Sequence, residues 1–186
     1  MTDPHAGLVE PTETLRDAYV DCVSEFHANG NEDIGNELEE VHRDFAAFIA
    51  RLRNRAAGVG LPEGWVPVSR YWLVRDGRVL GTCGLRHRLT EFLRDFGGHI
   101  DYGVRPSERR KGYATFMLLA MLAKARAMGI DRALVTCDAR NVASAGVIRK
   151  CGGVLDSETF SPAANRVTSR YWIQTAADSA CSRSEQ

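Results

Sequence analysis

A chain of 186 residues, 44% of them hydrophobic and 26% charged, suits one domain with a single sizeable core. Lys plus Arg equals Asp plus Glu, 24 each, so no overall field draws it to nucleic acid or to an anionic membrane. The five cysteines, Cys22, Cys83, Cys137, Cys151 and Cys181, are odd in number and contain no C-x-x-C pair; neither a disulfide framework nor a metal site is expected. No apolar run approaches the ~18 residues that span a bilayer. The start from Met1 to His5 lacks a basic segment followed by an apolar run, so a reduced cytoplasm is the expected setting.

Leu8 to Pro11 reads as a first strand. Thr12 follows as an N-cap, with Glu13 and Asp17 in the opening turn. Leu15, Ala18, Tyr19, Cys22, Val23 and Phe26 recur at helical spacing and predict a helix to about His27. After Asn29-Gly30-Asn31, the positions Leu38, Val41, Phe45, Phe48, Ile49 and Leu52 predict one second helix to about Ala57. Its charged residues Glu37, Glu39, Glu40, Arg43 and Asp44 read as a solvated face. Residues 58–68 form a loop, in which Trp65 reads as an anchor to the core or as one wall of a pocket.

The period then changes to that of strands. Val68 to Val74 and Arg78 to Leu85 flank Asp76-Gly77, a hairpin signal. Leu89 to Phe96 reads as a helical turn ended by Gly97-Gly98, and His99 to Val104 as a central strand. Gly112 to Met128 predicts a long helix, Arg132 to Cys137 a strand, and Asn141 to Cys151 a helix stopped by Gly152-Gly153. Val154 to Phe160 and Val167 to Ile173 form a closing hairpin. The expected fold class is thus α/β, with about seven strands in a mixed sheet flanked by helices. One domain is expected over 1–174, with a helical front over 1–67 and a core over 68–174. The small, polar stretch 175–186 is expected to be a disordered tail.

The segment from Val104 to Thr115 carries the chemistry. Pro106 ends strand pairing because it offers no backbone donor. Arg109, Arg110 and Lys111 supply positive charge, and Gly112 and Ala114 let the backbone approach a ligand closely. Unpaired amides at the start of the following helix favour an anion. A pyrophosphate meets these demands, and a solvated basic turn is the plain alternative. The G-x-G-x-x-G and G-K-[ST] patterns of other phosphate-binding turns are absent.

Arg109-x-x-Gly112-x-Ala114, following Val104-x-Pro106, resembles the acetyl-CoA signature of the GNAT N-acetyltransferase superfamily. Gly98 to Ser107 also resembles a bacterial subgroup of predicted acetyltransferases. Asn141-x-x-Ser144, opening a helix that ends at Cys151-Gly152-Gly153, is similar to the family's second cofactor-contacting helix. The resemblance covers about residues 68 to 174. It implies a mostly antiparallel GNAT-like sheet whose central strands splay, with acetyl-CoA as cosubstrate and a primary amine of a small molecule or peptide as acceptor in a ternary complex. It assigns cofactor contacts to Val104, Arg105, Arg109, Arg110, Lys111, Gly112, Tyr113, Ala114, Thr115, Asn141 and Ser144. Edge groups of Gly103 to Arg105 would bond the pantetheine arm, and the Val104 amide would face the developing oxyanion. Homodimers are common in the family.

Many family members carry a Tyr seven residues after the helix-opening Asn as general acid, and Ile148 occupies that position. A CoA-binding regulatory module is therefore the alternative function. Candidates for the general base are His87, Glu91, His99 and Asp101. Strand alternation places His99, Asp101 and Gly103 on one face and Ile100, Tyr102 and Val104 on the other. Arg86-His87-Arg88 is a further candidate for binding an acidic group of the acceptor. Cys137 and Cys151 read as small buried hydrophobes rather than nucleophiles.

Overall fold

The computed structural model describes residues 6–161 and 165–175. The tail expected over 175–186 falls outside them except for Thr175, whose hydroxyl donates to the carbonyls of Ile130 and Asp131 at 2.8 and 3.0 Å.

Seven strands form one sheet: β1 (Gly7–Val9), β2 (Val68–Arg75), β3 (Arg78–Arg86), β4 (Ile100–Val104), β5 (Arg132–Asp138), β6 (Val154–Ser161) and β7 (Arg166–Gln174). Their order is β1-β2-β3-β4-β5-β7-β6, antiparallel throughout except between β4 and β5. The mixed, mostly antiparallel sheet expected from sequence is what the chain forms. Asp76 and Gly77 both take positive φ at the β2–β3 turn, as a tight primed turn demands.

The helices are α1 (Arg16–Ala28), α2 (Glu32–Gly35), α3 (Leu38–Arg43), α4 (Phe45–Ala57), α5 (Tyr113–Ala127) and α6 (Val142–Lys150). The single helix expected over residues 38–57 is two. Asp44 leaves the helical conformation (φ −155°, ψ 93°) and its carboxylate accepts the Ala47 amide at 2.9 Å, capping α4. Hydrophobic spacing continues through the break, since Val41 and Phe45 stay four residues apart and are both buried. Periodicity alone therefore reads straight across it.

The helices cover both faces of the sheet. On one face Met117, Leu118 and Met121 of α5 and Ile148 of α6 pack on Leu80, Ile100, Val135 and Tyr171. On the other, Tyr19, Phe26, Phe48 and Ile49 pack on Trp72 and Val79. The rings of Tyr19 and Trp72 stack there at 4.1 Å. Among the described residues no helix is long and apolar enough to cross a membrane.

The β4–β5 junction positions the site. Gly98 takes φ +65°, and a Cβ there would lie 2.6 Å from the Leu134 carbonyl, so only glycine lets β4 enter this close to β5. The two strands then share one register position, Ile100 opposite Val135, and diverge. Arg105 N–H donates to the Leu80 carbonyl at 2.9 Å. By the alternation of an antiparallel ladder, Asp101 and Gly103 also turn their peptide groups to β3. Those of Tyr102 and Val104 open into the gap.

Candidate active site

Two cavities meet along the outer half of β4. The first, about 480 Å³, runs from Tyr102 and Val104 to the start of α5, with Asn141, Ser144 and Val147 on its opposite wall. The second, about 620 Å³, has Glu37, Arg70, Arg86 and Asp101 among its lining residues and Phe92, Leu93 and Phe96 on one side. Asn31, Tyr102 and Gly103 line both.

In the first cavity, the groove, Gly112 caps α5 in the left-handed region at φ +85°, and Arg110 takes φ +64° just before it. The first helical bond runs from Phe116 N–H to the Gly112 carbonyl at 3.1 Å. The amides of Tyr113, Ala114 and Thr115 therefore have no partner within the helix, and these residues line the groove. A Cβ at Gly112 would meet nothing within 4 Å. Unpaired donors, the positive end of a 15-residue helix and open space in front of them form a cradle for an anion.

Most residues with expected cofactor contacts line this groove: Val104, Arg109, Arg110, Gly112, Tyr113, Ala114, Thr115, Asn141 and Ser144. Arg109 folds back, its Nε donating to the Val104 carbonyl at 3.4 Å. The Tyr113 ring is buried and its hydroxyl accepts from Arg75 at 2.7 Å, which leaves its amide as its contribution to the groove. Two residues lie elsewhere. Arg105 is buried and pairs with Glu25 and with Asp21, the latter at 2.8 Å. Lys111 turns to Glu108 at 2.8 Å. Arg105 thereby ties the end of β4 to α1: although burial pushes the Glu25 carboxyl up, hydrogen bonds from Ser107 and Arg105 hold it below the usual range.

The four general-base candidates are not brought together. His87 shares a hydrogen bond with Ser69 at 2.9 Å, and neither it nor exposed Glu91 lines the cleft. His99 accepts the Leu134 amide at Nδ1, 3.0 Å away. Burial, together with Arg94 and Arg86, lowers its pKa to about 4. Only Asp101 lines the cleft, where it pairs with Arg70 and, at 3.1 Å, with Arg86. Burial raises its pKa, but the two guanidiniums outweigh this and hold it below the ordinary value. It is a poor proton acceptor.

Two residues outside those expectations take the relevant positions. Tyr102 lines both cavities, and its hydroxyl lies 3.0 Å from Ser144 Oγ. Burial pushes its pKa up to about 12, so it holds its proton at neutral pH. Asn141 caps α6, its carbonyl oxygen accepting the Ser144 amide at 3.0 Å, which orients Ser144 toward Tyr102. Ile148 is fully buried against the sheet. A phenol on β4 thus lines the groove, and the sequence signal for it is the alternation that puts Tyr102 on the face of Val104.

The second is Glu37, which the helical pattern assigns to a solvated face. It lines the cleft and accepts the Tyr19 hydroxyl at Oε2. Burial raises its pKa above that of an ordinary carboxylate, despite the hydrogen bond from Tyr19 and the nearby Arg70. No sequence periodicity points to it, because residues 29–37 cross from α1 to α3 by a path only the fold determines. Among the described residues no cluster of His, Cys, Asp and Glu is arranged to hold a metal ion.

The family model of the acetyltransferase (GNAT) domain matches residues 13–154. No curated protein matches the chain. Among solved structures, a putative GnaT-family acetyltransferase from Bordetella pertussis is similar with a TM-score of 0.66 at 15% identity, over 93% of this chain and 98% of that one. RimL, a ribosomal L7/L12 alpha-N-protein acetyltransferase solved with coenzyme A, is similar with a TM-score of 0.65 at 14% identity, over 94% and 96% of the two chains. The microcin C7 self-immunity acetyltransferase MccE, solved with acetyl-CoA and AMP, gives 0.64 at 11%, over 92% and 93%.

Proposed function

Because the chain belongs to the acetyltransferase (GNAT) domain family, we propose that it transfers an acetyl group from acetyl-CoA directly to the primary amine of a small molecule or peptide. The observation that carries this reading is the meeting of an anion-cradling groove and a charged cleft at Tyr102 and Gly103. Similar folds have been solved with coenzyme A or acetyl-CoA.

The groove fits that cosubstrate. The amides of Tyr113, Ala114 and Thr115 receive the pyrophosphate, with Arg109 and Arg110 adding charge. The open peptide groups of Tyr102 and Val104 receive the pantetheine amides as an added strand would. The Val104 N–H faces the thioester oxygen, whose charge grows as the amine attacks. The Asn141 side-chain amide, its carbonyl spent on the helix cap, remains a donor toward the arm.

Attack forms the C–N bond and breaks the C–S bond. Tyr102 gives its proton to the departing thiolate, and Ser144 orients the phenol. Glu37 takes the proton that the amine loses; the support for it is its place in the cleft and its raised pKa. Asp101, neutralised between Arg70 and Arg86, holds the floor of the cleft. Most of the acceleration then comes from holding amine and thioester together, worth ~7–11 kcal/mol when well aligned.

Thiol release measured over a panel of amines, peptides and aminoglycosides tests the reading. Release with at least one acceptor class is the expected result; silence across the whole panel with acetyl-CoA bound would overturn it.

A further inference from the structure

The acceptor cleft does not end at its charged floor. Arg86, Phe92 and Leu93 also line a neighbouring hollow of about 430 Å³, whose other lining residues include Trp65 and Arg55. The Trp65 backbone is held in place: its N–H donates to the Pro62 carbonyl at 3.1 Å and the next residue, Val66, is buried. Trp65 as a residue nevertheless stays 49% exposed, and Phe92 67%. Two large aromatic rings left open on one hollow, beside a reactive cleft, are ordinarily a ligand surface.

The hollow also holds a cation with no direct ion-pair partner; one carboxylate, Glu63, is among its other lining residues. Arg51 pairs with Glu40, and Arg70 and Arg86 pair with Asp101. Arg55 has no carboxylate within ion-pair distance among the described residues, and its Nε is buried without a hydrogen-bond partner. Burial and the neighbouring cations Arg70, Arg51 and Arg86 lower its pKa. Its guanidinium lies over one face of the Trp65 ring, 4.5 Å from the centroid, so charge and aromatic platform lie against each other. A buried donor left unpaired is costly, and an oxyanion supplied by a ligand would relieve both the missing bond and the excess charge.

We propose that this hollow is an acceptor subsite for a planar ring bearing an oxyanion, with the ring against Trp65 and Phe92 and the oxyanion on Arg55. The acceptor's amine end then lies in the cleft at Tyr102 and Glu37, and only this part rests on the acetyltransferase reading. The acceptor class is an amine that also carries an aromatic ring and an anionic group, such as a peptide ending in phenylalanine with a free carboxylate, and not a polyamine. A polycation would meet Arg55, Arg70 and Arg86 along the same path.

The probes are the dipeptide Gly-Phe, its C-terminal amide, and an amine joined to phenyl phosphate, titrated calorimetrically into the full chain with coenzyme A present. The free acid or the phosphate is expected to bind about tenfold tighter than the amide, and whichever of the two is tighter identifies the oxyanion. In Arg55→Gln the charged and capped forms bind alike. Trp65→Ala weakens all three ring-bearing probes. Equal binding of acid, phosphate and amide to the unaltered protein, or a preference that survives Arg55→Gln, overturns the subsite. Thiol release on the same probes separates the two readings. Charge-selective binding without turnover of any amine counts against acetyl transfer and leaves the subsite standing. Turnover with no charge preference does the reverse.

Discussion

The hydroxyl oxygens of Tyr102 and Ser144 lie 3.0 Å apart where β4 and the start of α6 face each other across the groove. A phenol kept protonated by burial, oriented by a capped serine and placed on the boundary of both cavities, is equipped to donate a proton there. Tyr102→Phe is expected to lower kcat by about 100-fold or more while leaving the KM for acetyl-CoA nearly unchanged. Ser144→Ala should give a smaller loss of the same kind. A Tyr102→Phe enzyme with unaltered kcat assigns the proton to solvent.

Acetyl-CoA should raise the melting temperature by about 5–10 °C at ligand concentrations near 100 Kd. Gly112→Trp should abolish the shift, since the open space before the α5 amides is filled and the left-handed conformation is strained by any side chain. Calorimetric scans of both proteins with and without ligand check this. A mutant that keeps its shift places the pyrophosphate elsewhere.

Glu37 should set the acid side of the pH profile. In the proposed mechanism its carboxylate form takes the proton, so kcat/KM should fall as pH drops through its raised pKa. Glu37→Gln should remove that limb and most of the activity. An acid limb that persists in the variant, with activity retained, would pass the role to another group.

His99 makes stability depend on pH. Its pKa is lowered from 6.5 to about 4 in the folded chain. Between those values the unfolded chain binds a proton that the native state does not, so stability falls as pH is lowered through this window. The loss reaches roughly 3 kcal/mol near pH 4. His99→Asn can still accept the Leu134 amide but does not titrate. Denaturant midpoints from pH 7 to 4 should therefore fall less steeply for the variant.

Glu25→Ala should destabilise the protein by about 2–4 kcal/mol, because Arg105 is buried and Ser107 N–H also donates to this carboxylate. Chemical denaturation measures the loss. An unchanged midpoint would mean that Asp21 alone satisfies the guanidinium.

The sequence by itself determined the groove. A strand ended by Pro106, basic residues, Gly112 and a long apolar helix are contiguous, and local rules decide what a contiguous strand–turn–helix segment does: proline stops pairing, glycine opens the turn, and the first amides go unpaired. The α6 cap is legible for the same reason, since Asn141 and Ser144 are three residues apart. Strand alternation likewise carries the sheet, because each strand shows its own period. The break at Asp44 lies at the limit of such reading: the residue is a good cap, but apolar spacing runs through it.

Only the tertiary structure decided the cleft. Glu37, Arg70 and the adjacent β4 residues Asp101 and Tyr102 come from three separate segments, and no local period brings those segments to one cleft. Arg105 reads as one more cofactor contact until α1 presents Asp21 and Glu25 to it. His99 and Asp101 share a face, yet one is closed by the Leu134 amide and the other by two arginines. Burial and counter-charge decide whether such groups hold, release or never meet a proton, and both are set by residues distant in the chain.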